Sequence, residues 1–276
     1  MNDRTKFISS VKSQMLDGDC FELIDGRTLE MRGSILKEIV GDIAHKKCIV
    51  ACVIGPQSTG KSTLMNYCFG TQFLASTGRC TQGIYFTLQK IPREMCPNGG
   101  VEYLIILDTE GLDSAERSDK EYDRKIVLFT LMCSDFLIVN SRGDMSSSMK
   151  NILKMCTVQY DTLKNFSTPP KILYTFVANN DLNPGPLKAE VADLRQDVIE
   201  TKTDTIEATA DELLGMNEDR VRVLGSAYGT EMIEEEANKG LVQTNNLNVV
   251  STLYGVQAHE VFKLVQNFTN SGREFK

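Results

Sequence analysis

Residues 48–62 decide the fold, and they read CIVACVIGPQSTGKS. The first part, Cys48–Ile54, is a continuous apolar run with several β-branched residues, which is typical of a strand buried on both faces of a sheet. The second part matches the pattern G-x-x-x-x-G-K-[ST] at every fixed position, and a predicted helix follows from Lys61. A buried strand, this loop and a helix in that order predict a phosphate-binding loop, or P-loop.

The residue types in this loop suit phosphate chemistry. Gly55 and Gly60 let the backbone curl so that successive N–H groups point at phosphate oxygens, and the following helix adds the positive end of its dipole. Lys61 supplies a positive charge to the β- and γ-phosphates, and Ser62 offers its hydroxyl to Mg²⁺. We therefore predict a nucleotide site formed by Gly55, Pro56, Ser58, Thr59, Gly60, Lys61, Ser62 and Thr63.

The alternation of strands and helices beyond this loop predicts an α/β fold. Such alternation produces right-handed βαβ crossovers, so we expect a P-loop NTPase domain whose mostly parallel central sheet has helices on both faces. Ahead of the P-loop, residues 21–31 predict a short hairpin. Apolar runs predict further strands at residues 84–90, 101–107, 135–140, 171–178 and 221–225.

We divide the chain into three parts. Residues 1–46 are expected to form an N-terminal segment that packs on the nucleotide-binding domain. Residues 47–240 form the core of that domain, and residues 241–276 form a C-terminal helix, in which apolar residues recur at helical intervals.

Composition argues against several other classes of protein. The net charge is −7, which disfavours general binding to the phosphate backbone of nucleic acids. The 8 cysteines form no C-x-x-C pair and there are only 2 histidines, so we expect free thiols rather than zinc ligands or disulfides. The longest apolar run is too short to span a bilayer and the N-terminus lacks a signal sequence, so we expect a cytoplasmic chain with no transmembrane segment.

A second motif on the phosphate side, D-x-x-G, comprises residues 108–111 and ends an apolar run. Asp108 is placed to hold Mg²⁺ through water, and the Gly111 N–H is placed to contact a γ-phosphate. The same pattern occurs in ordinary turns. Its position one strand beyond a P-loop favours the functional interpretation.

Three further loops contain candidate residues: one connects the two motifs, and the other two follow predicted strands. Thr81 lies where a GTPase keeps its first switch, and we expect its hydroxyl to reach Mg²⁺ and its N–H to reach the γ-phosphate. Asp181, with Asn180 or Asn179 as a helper, is the candidate for reading guanine, although the N-K-x-D sequence of Ras-like GTPases is absent and an ordinary Asn-rich turn is the alternative. Ser226 and Ala227 resemble the S-A-K loop, whose backbone N–H faces the guanine carbonyl.

Together these residues resemble the dynamin superfamily of GTPases, and among them the very large inducible GTPases. Guanylate-binding proteins and atlastins are more distant relatives. The resemblance implies a large GTPase domain that uses Mg²⁺, converts GTP to GDP, and forms a homodimer across its nucleotide face. The stretches that carry it are the P-loop, Gly78-Arg79-Cys80-Thr81-Gln82-Gly83 and Leu107-Asp108-Thr109-Glu110-Gly111-Leu112.

One departure concerns the positive charge that promotes hydrolysis. Guanylate-binding proteins and atlastins carry a P-loop arginine where this chain has Ser58. By resemblance to dynamin, Gln57 would orient the attacking water and Ser58 would help to bind K⁺ or Na⁺ in place of the arginine; Arg79 is the alternative source of charge. Two other functions stay open from the sequence: a GTP-binding assembly module with negligible hydrolysis, and another P-loop ATPase or phosphotransferase.

Overall fold

The secondary structure follows the predicted alternation in a computed structural model of the chain. The structure describes residues 3–43, 45–74, 81–91, 101–112, 119–142, 145–163, 171–177, 185–200, 210 and 221–224. The helices are α1 (Asp3–Leu16), α2 (Gly33–Val40), α3 (Lys61–Phe69), α4 (Lys120–Cys133), α5 (Ser147–Leu163) and α6 (Gly185–Glu200), with a 3-10 turn at Gly41–Ile43. The strands are β1 (Phe21–Asp25), β2 (Cys48–Ile54), β3 (Gly83–Lys90), β4 (Tyr103–Thr109), β5 (Phe136–Arg142), β6 (Lys171–Val177) and β7 (Val221–Leu224).

Within the described residues the strands form one seven-stranded sheet in the order β1-β3-β4-β2-β5-β6-β7. The strands β4, β2, β5, β6 and β7 run parallel to their neighbours in this group, whereas β3 is antiparallel to β4 and β1 is antiparallel to β3. The sheet is thus mostly parallel, as predicted. The central position of β2 places the loop that follows it in the middle of the carboxyl edge, where α/β sheets bind their ligands.

Helices cover both faces of this sheet, which confirms the predicted fold class. Alternate residues of β2 point to opposite faces, so Ile54 belongs to a large core that includes residues of α4 and α5, while Val53 belongs to a smaller core that includes residues of α3. Both faces of the strand are buried, and this explains why its sequence is continuously apolar instead of alternating.

The N-terminal segment contributes an edge strand to the sheet. The predicted hairpin is reduced to one antiparallel bridge between Ile24 and Met31, and β1 pairs with β3 instead. The Thr87 hydroxyl of β3 donates to the carbonyls of Met15 and Asp19, at 3.1 and 2.7 Å, and so holds the end of α1 against the sheet.

Several sequence expectations concern other features of the chain. None of the helices that the structure describes is long and apolar enough to cross a membrane. Among the same residues, six cysteines are free thiols and no group of three His, Cys, Asp or Glu side chains could hold a metal ion. The predicted C-terminal helix at residues 241–276 lies outside the described residues.

Candidate nucleotide site

The loop between β2 and α3 combines unusual backbone conformations with tight packing. Positive φ angles occur at Gly55 (153°), Ser58 (60°) and Gly60 (81°). A Cβ at Gly55 would lie 1.9 Å from the carbonyl oxygen of Asn140, so this position requires glycine on steric grounds as well. Ser58 holds a left-handed conformation that is unfavourable for most side chains, and such conformations concentrate at functional sites.

Lys61 is buried at the start of α3. Its Nζ donates to the Pro56 carbonyl at 2.9 Å, and the Thr59 hydroxyl donates to the same carbonyl at 3.0 Å. Gly60 is the N-cap residue and has no side chain that could accept hydrogen bonds from the first helical turn. The helix therefore presents its N-terminal N–H groups and a lysine ammonium at the same place, an arrangement that attracts phosphate.

The D-x-x-G segment is joined to the P-loop by backbone hydrogen bonds. The Gln57 N–H donates to the Leu112 carbonyl, and the Leu112 N–H donates to the Gly55 carbonyl, both at 3.0 Å. A Cβ at Gly111 would lie 2.4 Å from the Cα of Gln57, so only glycine permits this approach. The structure thus brings Gly111 and the P-loop together.

Ser62, Thr81 and Asp108 come together beside the P-loop from three different elements. The Ser62 hydroxyl donates to Asp108 Oδ2 at 2.6 Å, and the Thr81 hydroxyl lies 3.4 Å from the same oxygen and 3.3 Å from the Ser62 hydroxyl. Asp108 belongs to the end of β4 itself rather than to the loop after a strand ending at residue 107, because β4 continues to Thr109.

This cluster fits a magnesium ion. Hydroxyl and carboxylate oxygens are ligands that Mg²⁺ prefers. Asp108 is completely buried, and its Oδ1 has no hydrogen-bond partner among the described residues. Burial raises the pKa of Asp108 to about 6, although the Ser62 hydroxyl and the Lys61 ammonium both act to lower it. A buried carboxylate oxygen without a donor is the kind of group that a cation would satisfy.

Glu110, Gly83 and Tyr122 form a second buried group, which the sequence analysis did not find. One carboxylate oxygen of Glu110 accepts from the Gly83 N–H and from the Tyr122 hydroxyl, both at 2.8 Å. The Glu110 N–H in turn donates to the Gly83 carbonyl at 2.7 Å. The D-x-x-G segment is thereby tied to the start of β3 and to α4. The available sequence signal was Glu110 itself, an acidic residue directly after a strand whose other residues are mostly apolar.

Asn140 is the other functional candidate that the sequence analysis missed. It lies on β5 and is completely buried, and its side-chain amide donates to the Thr59 carbonyl at 2.8 Å. The only sequence signal is an amide within an apolar strand.

Five predicted site residues lie outside the described residues, so their positions stay predictions: Arg79, Asn180, Asp181, Ser226 and Ala227.

A P-loop after a central parallel strand, with a buried Asp at the end of the adjacent strand, defines the class of P-loop nucleotide-binding proteins. Sequence comparison gives the particular family: residues 2–222 match the URGCP-like GTPase domain, and the chain belongs to this family. The chain is therefore a member of a family of GTPase domains. The predicted resemblance to dynamin-superfamily GTPases is confirmed.

Individual relatives agree with this assignment. The chain is 31% identical over 169 residues to interferon-induced very large GTPase 1 of Homo sapiens, covering 60% of this chain and 7% of that protein. It is 37% identical over 162 residues to Protein SEY1 of Phaeosphaeria nodorum, covering 53% of this chain and 18% of that protein. The chain thus matches less than a fifth of the length of either relative. A crystal structure of Toc33 from Arabidopsis thaliana aligns with 92% of this chain at 12% identity and a TM-score of 0.42.

Proposed function

We propose that this domain binds GTP together with Mg²⁺ at the P-loop, hydrolyses it to GDP, and self-associates while the triphosphate is bound. The observation that carries the proposal is the convergence of Ser62, Thr81 and Asp108 beside Lys61. Two hydroxyls and a buried carboxylate with an unsatisfied oxygen fit the ion, and the lysine and the helix N-terminus fit the phosphates.

The side chains would act on the phosphates as follows. Lys61 would exchange its hydrogen bond to the Pro56 carbonyl for the β- and γ-phosphate oxygens, a short movement because Nζ already lies inside the loop. Ser62 and Thr81 would hold the ion directly, and Asp108 would hold it through water. Bound Mg²⁺ neutralises charge on the phosphates. Thr81 would leave the site when the γ-phosphate is gone, so the segment around it would report which nucleotide is bound.

Gln57 is our candidate for orienting the attacking water. Its backbone is the part of the P-loop that lies directly against Gly111, and these two segments flank a γ-phosphate in this class of site. Ser58 follows it in a left-handed conformation and is exposed, which is compatible with a role in binding K⁺ or Na⁺. Arg79 is the alternative source of positive charge.

Guanine recognition is proposed for the segments that follow β6 and β7. These strands are parallel neighbours, and their last residues, Val177 and Leu224, are paired in register. The carboxyl ends of the two strands therefore lie side by side, on the same edge of the sheet as the P-loop. Asp181, with Asn180, comes shortly after the first of these ends in sequence, and Ser226, with Ala227, comes shortly after the second. Such a position suits two loops that contact the same base.

The proposal is tested by nucleotide binding and phosphate release. We expect a fluorescent GTP analogue to bind in the presence of Mg²⁺, excess ATP to displace it poorly, and phosphate to be released. Lys61→Ala should abolish binding. Lys46→Ala is the control, because Lys46 pairs with Glu102 at the opposite end of β2 from the P-loop. This variant should bind GTP normally.

Each part of the proposal has an outcome that contradicts it. Equal displacement by ATP and GTP would contradict guanine specificity. Binding without phosphate release would favour the assembly module with negligible hydrolysis, which the missing P-loop arginine at Ser58 motivates. Self-association is tested separately by size-exclusion chromatography. We expect a dimer with GDP and aluminium fluoride and a monomer with GDP alone.

A further inference from the structure

Asn140 contacts the P-loop at two points from the neighbouring strand β5. Its side-chain Nδ2 lies 2.8 Å from the Thr59 carbonyl oxygen and 3.3 Å from the Thr59 hydroxyl. Its own carbonyl oxygen lies against Gly55, where a Cβ would come within 1.9 Å. Asn140 therefore restrains the conformation of the P-loop at two places: at Gly55 by packing, and at Thr59 by hydrogen bonding.

The bond from Asn140 to Thr59 fixes the direction of the next amide. The C=O and N–H of a trans peptide point in opposite directions, and the described residues contain no cis peptide bond. Because the Thr59 carbonyl points at Asn140, the N–H of Gly60 points away from it. A P-loop needs its N–H groups turned inward to the phosphate and its carbonyls turned outward.

The same contact continues through the loop to the lysine. The Thr59 hydroxyl that faces the Asn140 amide donates to the Pro56 carbonyl, and that carbonyl also accepts from Lys61 Nζ. Residues in sparsely populated conformations, such as Ser58 here, persist only where the surroundings hold them. The side chain of Asn140 provides such a restraint from outside the loop.

We propose that Asn140 is a positioning residue of the nucleotide site, holding the P-loop in its phosphate-binding conformation before the nucleotide arrives. This inference rests on the proposed function, because it assumes that GTP and GDP bind at this loop. It predicts that loss of the amide weakens the binding of GTP and of GDP by the same factor, since both nucleotides carry the β-phosphate that the loop surrounds. It also predicts that the effect does not depend on Mg²⁺.

The decisive variant is Asn140→Asp, which keeps the size of the side chain but replaces the donating NH₂ with an oxygen that faces the Thr59 carbonyl. We expect the dissociation constants for fluorescent GDP and GTP to rise together by about 10- to 100-fold, with and without Mg²⁺. Asn140→Ala, which removes the donor without adding charge, serves as a second test if Asn140→Asp does not fold.

A matched control separates positioning from general stability. Asn66 also uses its amide to hold backbone, donating to the Phe73 carbonyl at 2.9 Å and accepting from the Phe73 N–H at 2.8 Å. That contact lies toward the C-terminal end of α3, a helix roughly 13 Å long that starts at the P-loop. Asn66→Asp should lower the melting temperature but leave nucleotide affinity unchanged.

The outcomes distinguish this inference from the proposed function. Wild-type affinity in folded Asn140→Asp or Asn140→Ala would overturn the positioning role while leaving GTP binding intact. A loss of the same size in Asn66→Asp would also overturn it, because the effect would then follow stability. Failure of the wild-type protein to bind GDP or GTP would overturn the proposed function and this inference together.

Discussion

Gly111 lies so close to Gln57 that the D-x-x-G segment and the P-loop are in direct backbone contact. A Cβ at Gly111 would meet backbone as well as side-chain atoms of Gln57, so a change of rotamer cannot relieve the contact. We predict that Gly111→Ala separates the D-x-x-G segment from the P-loop. Stopped-flow or steady-state phosphate release should show at least about a tenfold loss of turnover, and overpacking should cost roughly 1–3 kcal/mol of stability.

Gly33→Ala is the control for this substitution. Gly33 is the first residue of α2, and a Cβ there would have no atom within 4 Å. It should retain full turnover and gain about 0.4–1 kcal/mol of stability, because alanine reduces the freedom of the unfolded chain. Equal activity of the two variants would contradict the close approach of the loops.

The uncharged residues Gln57 and Ser58 raise the question of how this site stabilises the charge of the transition state. If a bound monovalent cation supplies the positive charge, replacing K⁺ with choline should reduce phosphate release. Ser58→Ala should then produce the same loss of phosphate release without weakening GTP binding. Gln57→Ala should slow turnover in either salt because water would no longer be oriented. Turnover that ignores the cation but collapses in Arg79→Ala would assign the charge to Arg79.

At the scale of elements, Glu110 connects β4 with both β3 and α4. Because Gly83 follows Thr81 closely and α4 follows the D-x-x-G segment, this group spans the two regions that would respond to the γ-phosphate. We predict that Tyr122→Phe, which removes only the hydroxyl bound to Glu110, costs about 1 kcal/mol of stability. It should also slow GTP turnover by about fivefold, which corresponds to a similar energy, with GDP affinity preserved.

Tyr160→Phe makes the same chemical change elsewhere in the large core. Tyr160 is completely buried on α5, and Tyr122 on α4 belongs to the same cluster. Melting temperature and turnover should both be measured for the two variants. A turnover defect of the same size in Tyr160→Phe would contradict a specific role for the Tyr122 hydroxyl.

The local elements were predictable from sequence, whereas the contacts between them were not. The buried pattern of β2 and the P-loop signature depend on adjacent residues, so the fold class and the positions of Lys61 and Ser62 at the start of α3 could be predicted. The bond between Asn140 and Thr59 joins residues 81 positions apart, and no local pattern encodes it. The pairing of β1 with β3 was missed for the same reason, since a hairpin is the simpler interpretation of a short alternating segment.

The parallel order of the central sheet explains why residues distant in sequence share one site. The strands β2, β4 and β5 are parallel neighbours, so their carboxyl ends deliver the P-loop, Asp108 and Asn140 to the same edge. The N-terminal edge strand β1 packs tightly against the start of β3 at the same region. A Cβ at Gly83 would lie 2.1 Å from the Ile24 carbonyl oxygen, so there is no space for a side chain between the two strands. Ligand binding at this edge should therefore stabilise the sheet as a unit.

Nucleotide binding at this edge should therefore raise the thermal stability of the domain. A ligand that binds only the folded state at one hundred times its dissociation constant adds about 2.7 kcal/mol to the free energy of unfolding. For a domain of this size the melting temperature should rise by roughly 5–10 °C with a non-hydrolysable GTP analogue and Mg²⁺. EDTA should remove part of the rise. In Ser62→Ala, EDTA should have little further effect, because the hydroxyl that contacts Asp108 is already gone. A Mg²⁺-dependent shift in Ser62→Ala equal to that of the wild type would mean that the ion binds elsewhere.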